Sequence, residues 1–268
     1  MPRKPKLGQN FLIDATAQQR IADALGPIAT RTVLEIGPGH GAITDILVPR
    51  AARLIALELD RALAAELRFR FRNQPSVEVL EADVLTTDLA ALLPAGSEEK
   101  LEVIGNLPYY ITSDILLKLF ANSHRITRAV LMMQREVASR VAASPGTKDF
   151  GLLAATAQMY AQIENLFTLP PAAFNPPPDV HSSVVRMTFA PRFTELAVEP
   201  KPFDKFLHQV FSQKRKTLNN NLRAAGFSTE QLADLWPKEI PALARAESLT
   251  LEQLALMHKA LAAISPTE

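Results

Sequence analysis

The chain has 268 residues, 47% hydrophobic and 21% charged, a balance that supports one or two ordinary cores and excludes a disordered polymer. Its 29 Lys and Arg offset 28 Asp and Glu to a net charge of +1, so an anionic partner would be met by a local cluster of cations and not by a global field. With no cysteine there is no disulfide framework, thiolate metal site or cysteine nucleophile.

The opening stretch, Met1 to Leu12, carries Arg3, Lys4 and Lys6 but lacks the apolar segment of a signal peptide, and no later run approaches a membrane span, so a cytoplasmic protein is expected. Short apolar runs then recur at Thr32–Ile36, Leu54–Leu59, Val77–Leu80, Leu101–Ile104 and Ala129–Met133. The segments between them are long enough for one helix each: Ile43, Ile46 and Leu47 mark the first, and Leu63, Leu67 and Phe71 the second. This is the pattern of an α/β fold, a parallel sheet covered by crossover helices. Two further strands are expected at Ala161–Leu169 and Ser183–Phe189, forming an antiparallel hairpin at the sheet edge across a proline-rich loop. Beyond Phe189 prolines bracket a polar stretch and only helical periodicity remains, which predicts a boundary near residue 192, with domains 1–191 and 192–268. In the second, Phe203, Phe206, Leu207, Val210 and Phe211 share a helix face, and Ser228–Gln231 and Thr250–Gln253 read as capping boxes.

The chemistry-bearing residues cluster after the strands. Glu35-Ile-Gly37-Pro-Gly39-His-Gly41 follows the first run, where missing side chains let a ligand lie against the backbone and a helix N-terminus. Its G-x-G-x-G spacing differs from the G-x-G-x-x-G of dinucleotide folds. Glu58 ends the second run, placed to accept ribose hydroxyls, and Asp83 follows the third, placed to accept from an exocyclic amino group. After the fourth comes Asn106-Leu107-Pro108-Tyr109-Tyr110, in which an amide oxygen and a backbone carbonyl can face an amino group while a ring stacks on its base. An adenine amine is a poor nucleophile because its lone pair is delocalised. Two acceptors on its hydrogens favour a tetrahedral nitrogen that can attack a methyl donor without a strong base or a metal.

These motifs, with Gly8-Gln9-Asn10-Phe11-Leu12 before them and Phe174-Asn-Pro-Pro-Pro-Asp-Val-His-Ser-Ser-Val184 and Gln213 to Leu222 after them, resemble the ribosomal RNA adenine dimethyltransferases, specifically the bacterial small-subunit type linked to kasugamycin sensitivity. The resemblance covers nearly the whole chain. It implies a class I S-adenosylmethionine (SAM)-dependent methyltransferase domain, Rossmann-like with a mostly parallel seven-stranded sheet, followed by a small all-α domain. It further implies an enzyme that acts on two adjacent adenosines near the 3′ end of 16S rRNA in the immature small ribosomal subunit; a monomer is expected, with no membrane and, since oriented acceptors activate the amine, no metal. Carried over by position, it makes Asn10 and Leu12 a clamp on SAM, Gly37 its contact in the glycine loop, Glu58 the ribose ligand, Asp83 the adenine ligand and Asn106 the group nearest the methyl. The target adenine would be held by Asn106, Leu107, Pro108 and Tyr109, with Phe174 as a second stacking face. His40 receives no role.

RNA needs phosphate contacts, and Lys201–Arg223 offers Lys201, Lys205, Lys214, Arg215, Lys216 and Arg223 against one acid, Asp204. Lys214, Arg215 and Lys216 are the strongest cluster, while Arg125, Arg128, Arg135 and Arg140 are a second possibility. Trp236 is expected to serve packing. Three other readings compete. An NAD-dependent oxidoreductase would use the glycine turn and Glu58 but gives Asn106–Tyr109 no purpose. A ribosome-assembly factor acting mainly by binding would use the basic helical part. A large-subunit rRNA dimethyltransferase conferring macrolide resistance shares the core motifs but not the long Phe174–Val184 and Lys214–Leu222 matches.

Overall fold

The computed structural model describes residues 10–262, which form two compact units, one comprising the chain up to Ala138 together with Gln162–Phe189, the other Ser139–Ala161 and the chain from Ala190. Arg3, Lys4, Lys6 and the Gly8-Gln9 start of the first motif lie outside the described residues.

Strands of the first unit are β1 (Phe11–Leu12), β2 (Thr32–Ile36), β3 (Arg53–Glu58), β4 (Val77–Glu81), β5 (Leu101–Asn106), β6 (Ile126–Gln134), β7 (Ala161–Leu169), β8 (Phe174–Asn175) and β9 (Ser182–Phe189). Seven of them make one sheet in the order β4-β3-β2-β5-β6-β9-β7. The neighbours from β4 to β6 are parallel, and β6 pairs antiparallel with β9. Strands β2, β3 and β5 are buried almost throughout, as central parallel strands covered on both faces must be, and this is why their sequences read as unbroken apolar runs. The seven-stranded, mostly parallel sheet expected from the sequence is present. The chain builds outward from β2 first towards β4 and then towards β6, so a switch point lies between β2 and β5, where open α/β sheets leave a crevice at their carboxyl ends.

The expected hairpin stands at the sheet edge: Arg186 bonds Glu164 at 2.7 and 2.9 Å and Ser183 Oγ lies 2.8 Å from Thr168 Oγ1, so β7 and β9 run in opposite directions, with β9 inward of β7. A small second sheet, absent from the sequence reading, pairs β1 with β8 antiparallel, Leu12 opposite Phe174. Asp14, just after β1, caps the helix Ala15–Asp23 by accepting from Ala17 N at 2.9 Å, and Asp60 caps Arg61–Arg70 in the same way.

The second unit is helical, with Leu152–Tyr160, Pro200–Val210, Leu218–Ala224, Thr229–Leu235 and Leu251–Leu261 among its helices. Phe203, Phe206, Leu207 and Val210 sit in its core, as the helix-face pattern implies, and both capping boxes form. Trp236 donates to the Ile240 carbonyl at 2.8 Å and packs on this core. The units interleave where a single boundary at 191/192 is expected. Ala154, Ala155 and Met159 are buried with Phe203 and Leu207, and the Tyr160 and Met159 carbonyls accept from Ala190 N at 3.0 Å and Arg192 N at 2.9 Å.

Gly105 marks the tightest approach of β5 to β2: a Cβ there would lie 2.8 Å from the Ile36 carbonyl oxygen and 3.2 Å from the Ile36 Cβ. Gly105→Ala should therefore lower the unfolding free energy by about 1–3 kcal/mol, the usual range for overpacking. Denaturant titration measures this, and an unshifted midpoint would show that the strands separate freely.

Candidate active site at the carboxyl edge of the sheet

Register puts the polar strand ends in one row. Ile36 is level with Leu57 on one side and Gly105 on the other, and Glu58 is level with Glu81. Gly37, Glu58, Asp83 and Asn106 consequently border one cavity of about 400 Å³, together with Asn10, Leu12, Leu107, Pro108 and Tyr109. That volume lies in the range of small-ligand sites, roughly 300–1,000 Å³.

The glycine loop closes over this cavity. Gly37 N donates to the Leu57 carbonyl at 2.9 Å. Gly39 has φ +60, and a Cβ there would meet the Phe11 ring at 3.0 Å, so glycine serves both the backbone angle and the contact. The same Phe11 ring lies 4.6 Å from the His40 ring, and His40 Nδ1 is 3.2 Å from the Glu66 carboxylate. His40 thus supports the Phe11 segment from outside.

Glu58 is buried, and its two oxygens accept from Gly39 N at 3.0 Å and Asp60 N at 2.9 Å. It ties the glycine loop to β3, and each carboxylate oxygen keeps a further lone pair for a ligand hydroxyl. Asp83 accepts from Leu85 N through Oδ1 at 2.8 Å, a local turn that fixes the carboxylate beside the cavity. Glu35 opens the glycine motif but, standing inside the apolar β2 run, receives no separate role from the sequence. It is buried, accepts from Thr44 Oγ1 at 2.7 Å, and lines the cavity. Burial, reinforced by Asp45 and Glu58, pushes its carboxyl up to about 7 against the opposing Thr44 hydrogen bond.

The Asn106 amide is oriented by the β1 segment: Nδ2 donates to the Asn10 carbonyl at 3.0 Å, which leaves Oδ1 as the accepting end of the group. Gln18 Nε2 in turn donates to the Leu12 carbonyl at 2.8 Å, and Ile13 N to the Ala173 carbonyl at 2.9 Å, so the segment is held at several points. The Pro108 carbonyl accepts from Thr112 Oγ1 at 3.0 Å and Ile111 N at 3.2 Å. Tyr109 is half-buried at the cavity, with its hydroxyl 2.7 Å from Ser182 Oγ. Burial raises the phenol above its ordinary ionisation range.

Other expected residues lie elsewhere. Phe174 is 2% exposed, packed with Leu12 and Ala173 in the core, and is outside the cavity lining because β8 pairs with β1. Lys214, Arg215 and Lys216 are exposed in the second unit, in the turn between Pro200–Val210 and Leu218–Ala224, where Arg215 takes φ +73; they form no helix face. Arg125 donates to the Ser97 carbonyl at 2.6 Å and Arg128 to the Leu25 carbonyl, so both already tie the fold together.

The seven-stranded sheet, its switch-point cavity and the acids at successive strand ends define a class I SAM-dependent methyltransferase. The chain matches the family model described as ribosomal RNA adenine dimethylase over residues 2–263, and it belongs to that SAM-dependent family. It is 55% identical over 259 residues to the ribosomal RNA small subunit methyltransferase A of Acidobacterium capsulatum, covering 96% of this chain and 91% of the relative. To the protein of the same name in Koribacter versatilis it is 49% identical over 269 residues, covering 97% and 94%. Among solved structures, a dimethyladenosine transferase from Plasmodium falciparum shares the fold at TM-score 0.76 and 23% identity, covering 92% and 95%. The 23S rRNA methyltransferase ErmE aligns at TM-score 0.72 and 25% identity, covering 94% and 100%. The residues present fit SAM: two strand-end carboxylates stand ready for ribose hydroxyls and an adenine amine beside an open-backbone glycine loop.

Two measurements probe this site. Glu58→Ala removes a ligand acceptor and the loop tether together, so SAM affinity should fall by about 1–3 kcal/mol, the range for charge-assisted hydrogen bonds; unchanged affinity in calorimetry would make Glu58 a structural acid. Folding raises the Glu35 carboxyl from 4.5 to about 7, so the folded state holds a proton that the unfolded chain has lost. Its contribution to stability is complete below pH 4.5 and is lost as pH rises to about 7, by on the order of 3 kcal/mol. Glu35→Gln should flatten the stability curve over that window; parallel curves for the two proteins would refute the protonated state.

Proposed function

We propose that the protein transfers methyl groups from SAM to the exocyclic amines of two adjacent adenosines near the 3′ end of 16S rRNA, in the immature small subunit, working in the cytoplasm as a monomer and without a metal. The observation that carries the chemistry is the Asn106 amide, turned by the Asn10 carbonyl so that its oxygen is the accepting end. For the substrate, the support is the 55% identity to a small-subunit methyltransferase against 25% to a 23S enzyme, each over more than nine-tenths of this chain.

When bound, SAM supplies an electrophilic methyl on a sulfonium that leaves as a neutral thioether. Glu58 and Asp83 hold and orient it through hydroxyl and amine contacts. Tyr109 stacks on the flipped adenine, and the Asn106 Oδ1 and the Leu107 carbonyl accept from its amine, so that the nitrogen lone pair turns out of the ring plane towards the methyl. Pro108 fixes the turn that sets these groups. Each transfer leaves a cationic nitrogen that releases one proton to solvent water, so after the first the amine keeps a single hydrogen, and the second transfer relies on one acceptor and on the stacking ring. Phe174 lies behind the β1 segment and supports it, and the stacking is assigned to Tyr109 alone.

Lys214, Arg215 and Lys216, exposed in one turn, are assigned to phosphate contacts. This favours a second role as an assembly factor that holds immature subunits apart from methylation. Three results are expected. Incubation with labelled SAM and unmethylated small subunits should place the label on two neighbouring adenosines of 16S rRNA; label confined to 23S rRNA would overturn the substrate assignment. Tyr109→Ala, losing a stacking contact of roughly 1–3 kcal/mol, should bind subunits nearly normally and methylate slowly. Reversal of Lys214, Arg215 and Lys216 to Glu should leave SAM binding intact, weaken subunit binding and make its salt dependence shallower. An unchanged salt slope would move the RNA footprint away from this turn.

A further inference from the structure

We propose that Ser182 is a positioning residue for methyl transfer, its hydroxyl fixing the angle of the Tyr109 ring through the 2.7 Å bond between them. The inference rests on the stacking role proposed above for Tyr109. The motif containing Ser182 is part of the resemblance, but no role attaches to this residue there.

The geometry singles out this bond. Tyr109 opens a 3-10 turn, Tyr109–Ile111, directly after Pro108, so its backbone is set by a stiff element and the ring keeps only its side-chain torsions. Ser182 is fully buried and is the first residue of β9, level with Gln134 of β6. The preceding carbonyl, that of His181, accepts from Arg135 N at 2.9 Å. The hydroxyl therefore projects from a strand end held against β6. The ring is held at its Cα by the turn and at its Oη by the sheet, at the wall of the cavity.

The alternative use of a tyrosine at a methyl-transfer site is as an acid or base acting through the phenol. Here the phenol is engaged by Ser182, burial disfavours the phenolate that a base would need, and attack by an amine on a sulfonium methyl calls for no acid. Orientation is the remaining use. The consequence is amplified in an enzyme that methylates one amine twice, because the ring must present the base first with two amine hydrogens and then with one. A displacement of about 1 Å at such a site can cost on the order of a hundredfold in rate.

The test deletes the same bond from each end. Ser182→Ala and Tyr109→Phe both keep the ring and remove one hydroxyl. Each should slow single-turnover methylation of unmethylated small subunits at saturating SAM by roughly tenfold, as expected for one hydrogen bond. The SAM dissociation constant should stay within about twofold of wild type, and monomethyladenosine should accumulate relative to dimethyladenosine. The double variant should be no slower than either single one. Should Ser182→Ala disturb the strand, Tyr109→Phe still reads the bond from the cavity side. Single variants at wild-type rate beside a slow Tyr109→Ala would overturn the role of Ser182 and leave the stacking role standing. Effects that multiply in the double variant would overturn it too, since the hydroxyls would then act separately. If Tyr109→Ala itself methylates at wild-type rate, the stacking reading fails, and the positioning role fails with it.

Discussion

Strand register at the carboxyl edge is the constraint on which the site depends. Ile36, Leu57 and Gly105 stand level across β2, β3 and β5, and the next residue along each strand, Gly37, Glu58 or Asn106, reaches the cavity. A slip of one residue in any of these strands would turn its end group to the opposite face of the sheet. The register is held by apolar side chains buried on both faces and by the close approach at Gly105. The chemistry is thus positioned by the core, and the glycine loop and β1 segment close over groups that the sheet has already aligned.

The residues at this edge divide the work between charge and orientation. Glu58 and Asp83 each spend part of their hydrogen-bonding capacity on the backbone, so the carboxylates are rigid before a ligand arrives. Glu35 is buried without a cationic partner among the causes of its shift, and burial lifts its carboxyl to about 7, so near neutral pH it carries only part of a negative charge in this cavity. Asn106 and Tyr109 carry no charge. In the proposed mechanism their contribution is direction, supplied through the Asn10 carbonyl and Ser182 Oγ, respectively.

Much of this was legible in the sequence for a simple reason: parallel strands buried on both faces leave unbroken apolar runs, and a polar residue at the end of such a run marks the working edge. Glu58, Asp83 and Asn106 were found that way. Glu35 heads the glycine motif, but it sits inside its run and its protonation depends on neighbours from other elements, which the sequence does not show. The β1–β8 pair is two residues long on each side, too short for any periodicity, and it is what encloses Phe174. Ser139–Ala161 joins the second unit because Leu152–Tyr160 buries alanines and a methionine against Phe203, a choice of partner that an apolar helix does not announce. Charge composition marks Lys214–Lys216 as a cationic cluster but is blind to the left-handed backbone at Arg215 that places it in a turn.

The Asn106 clamp is the centre of the proposed mechanism, and its most direct test compares rate with affinity in one variant. Asn106→Ala should bind SAM within a few-fold of wild type, since Glu58 and Asp83 remain. Its single-turnover methylation of small subunits at saturating SAM should fall by roughly a hundredfold or more, the scale for losing one preorganised polar group that acts in the transition state. A rate within a few-fold of wild type, with SAM affinity intact, would show that the amine is activated by other means and that the amide held by Asn10 serves only to pin the β1 segment in place.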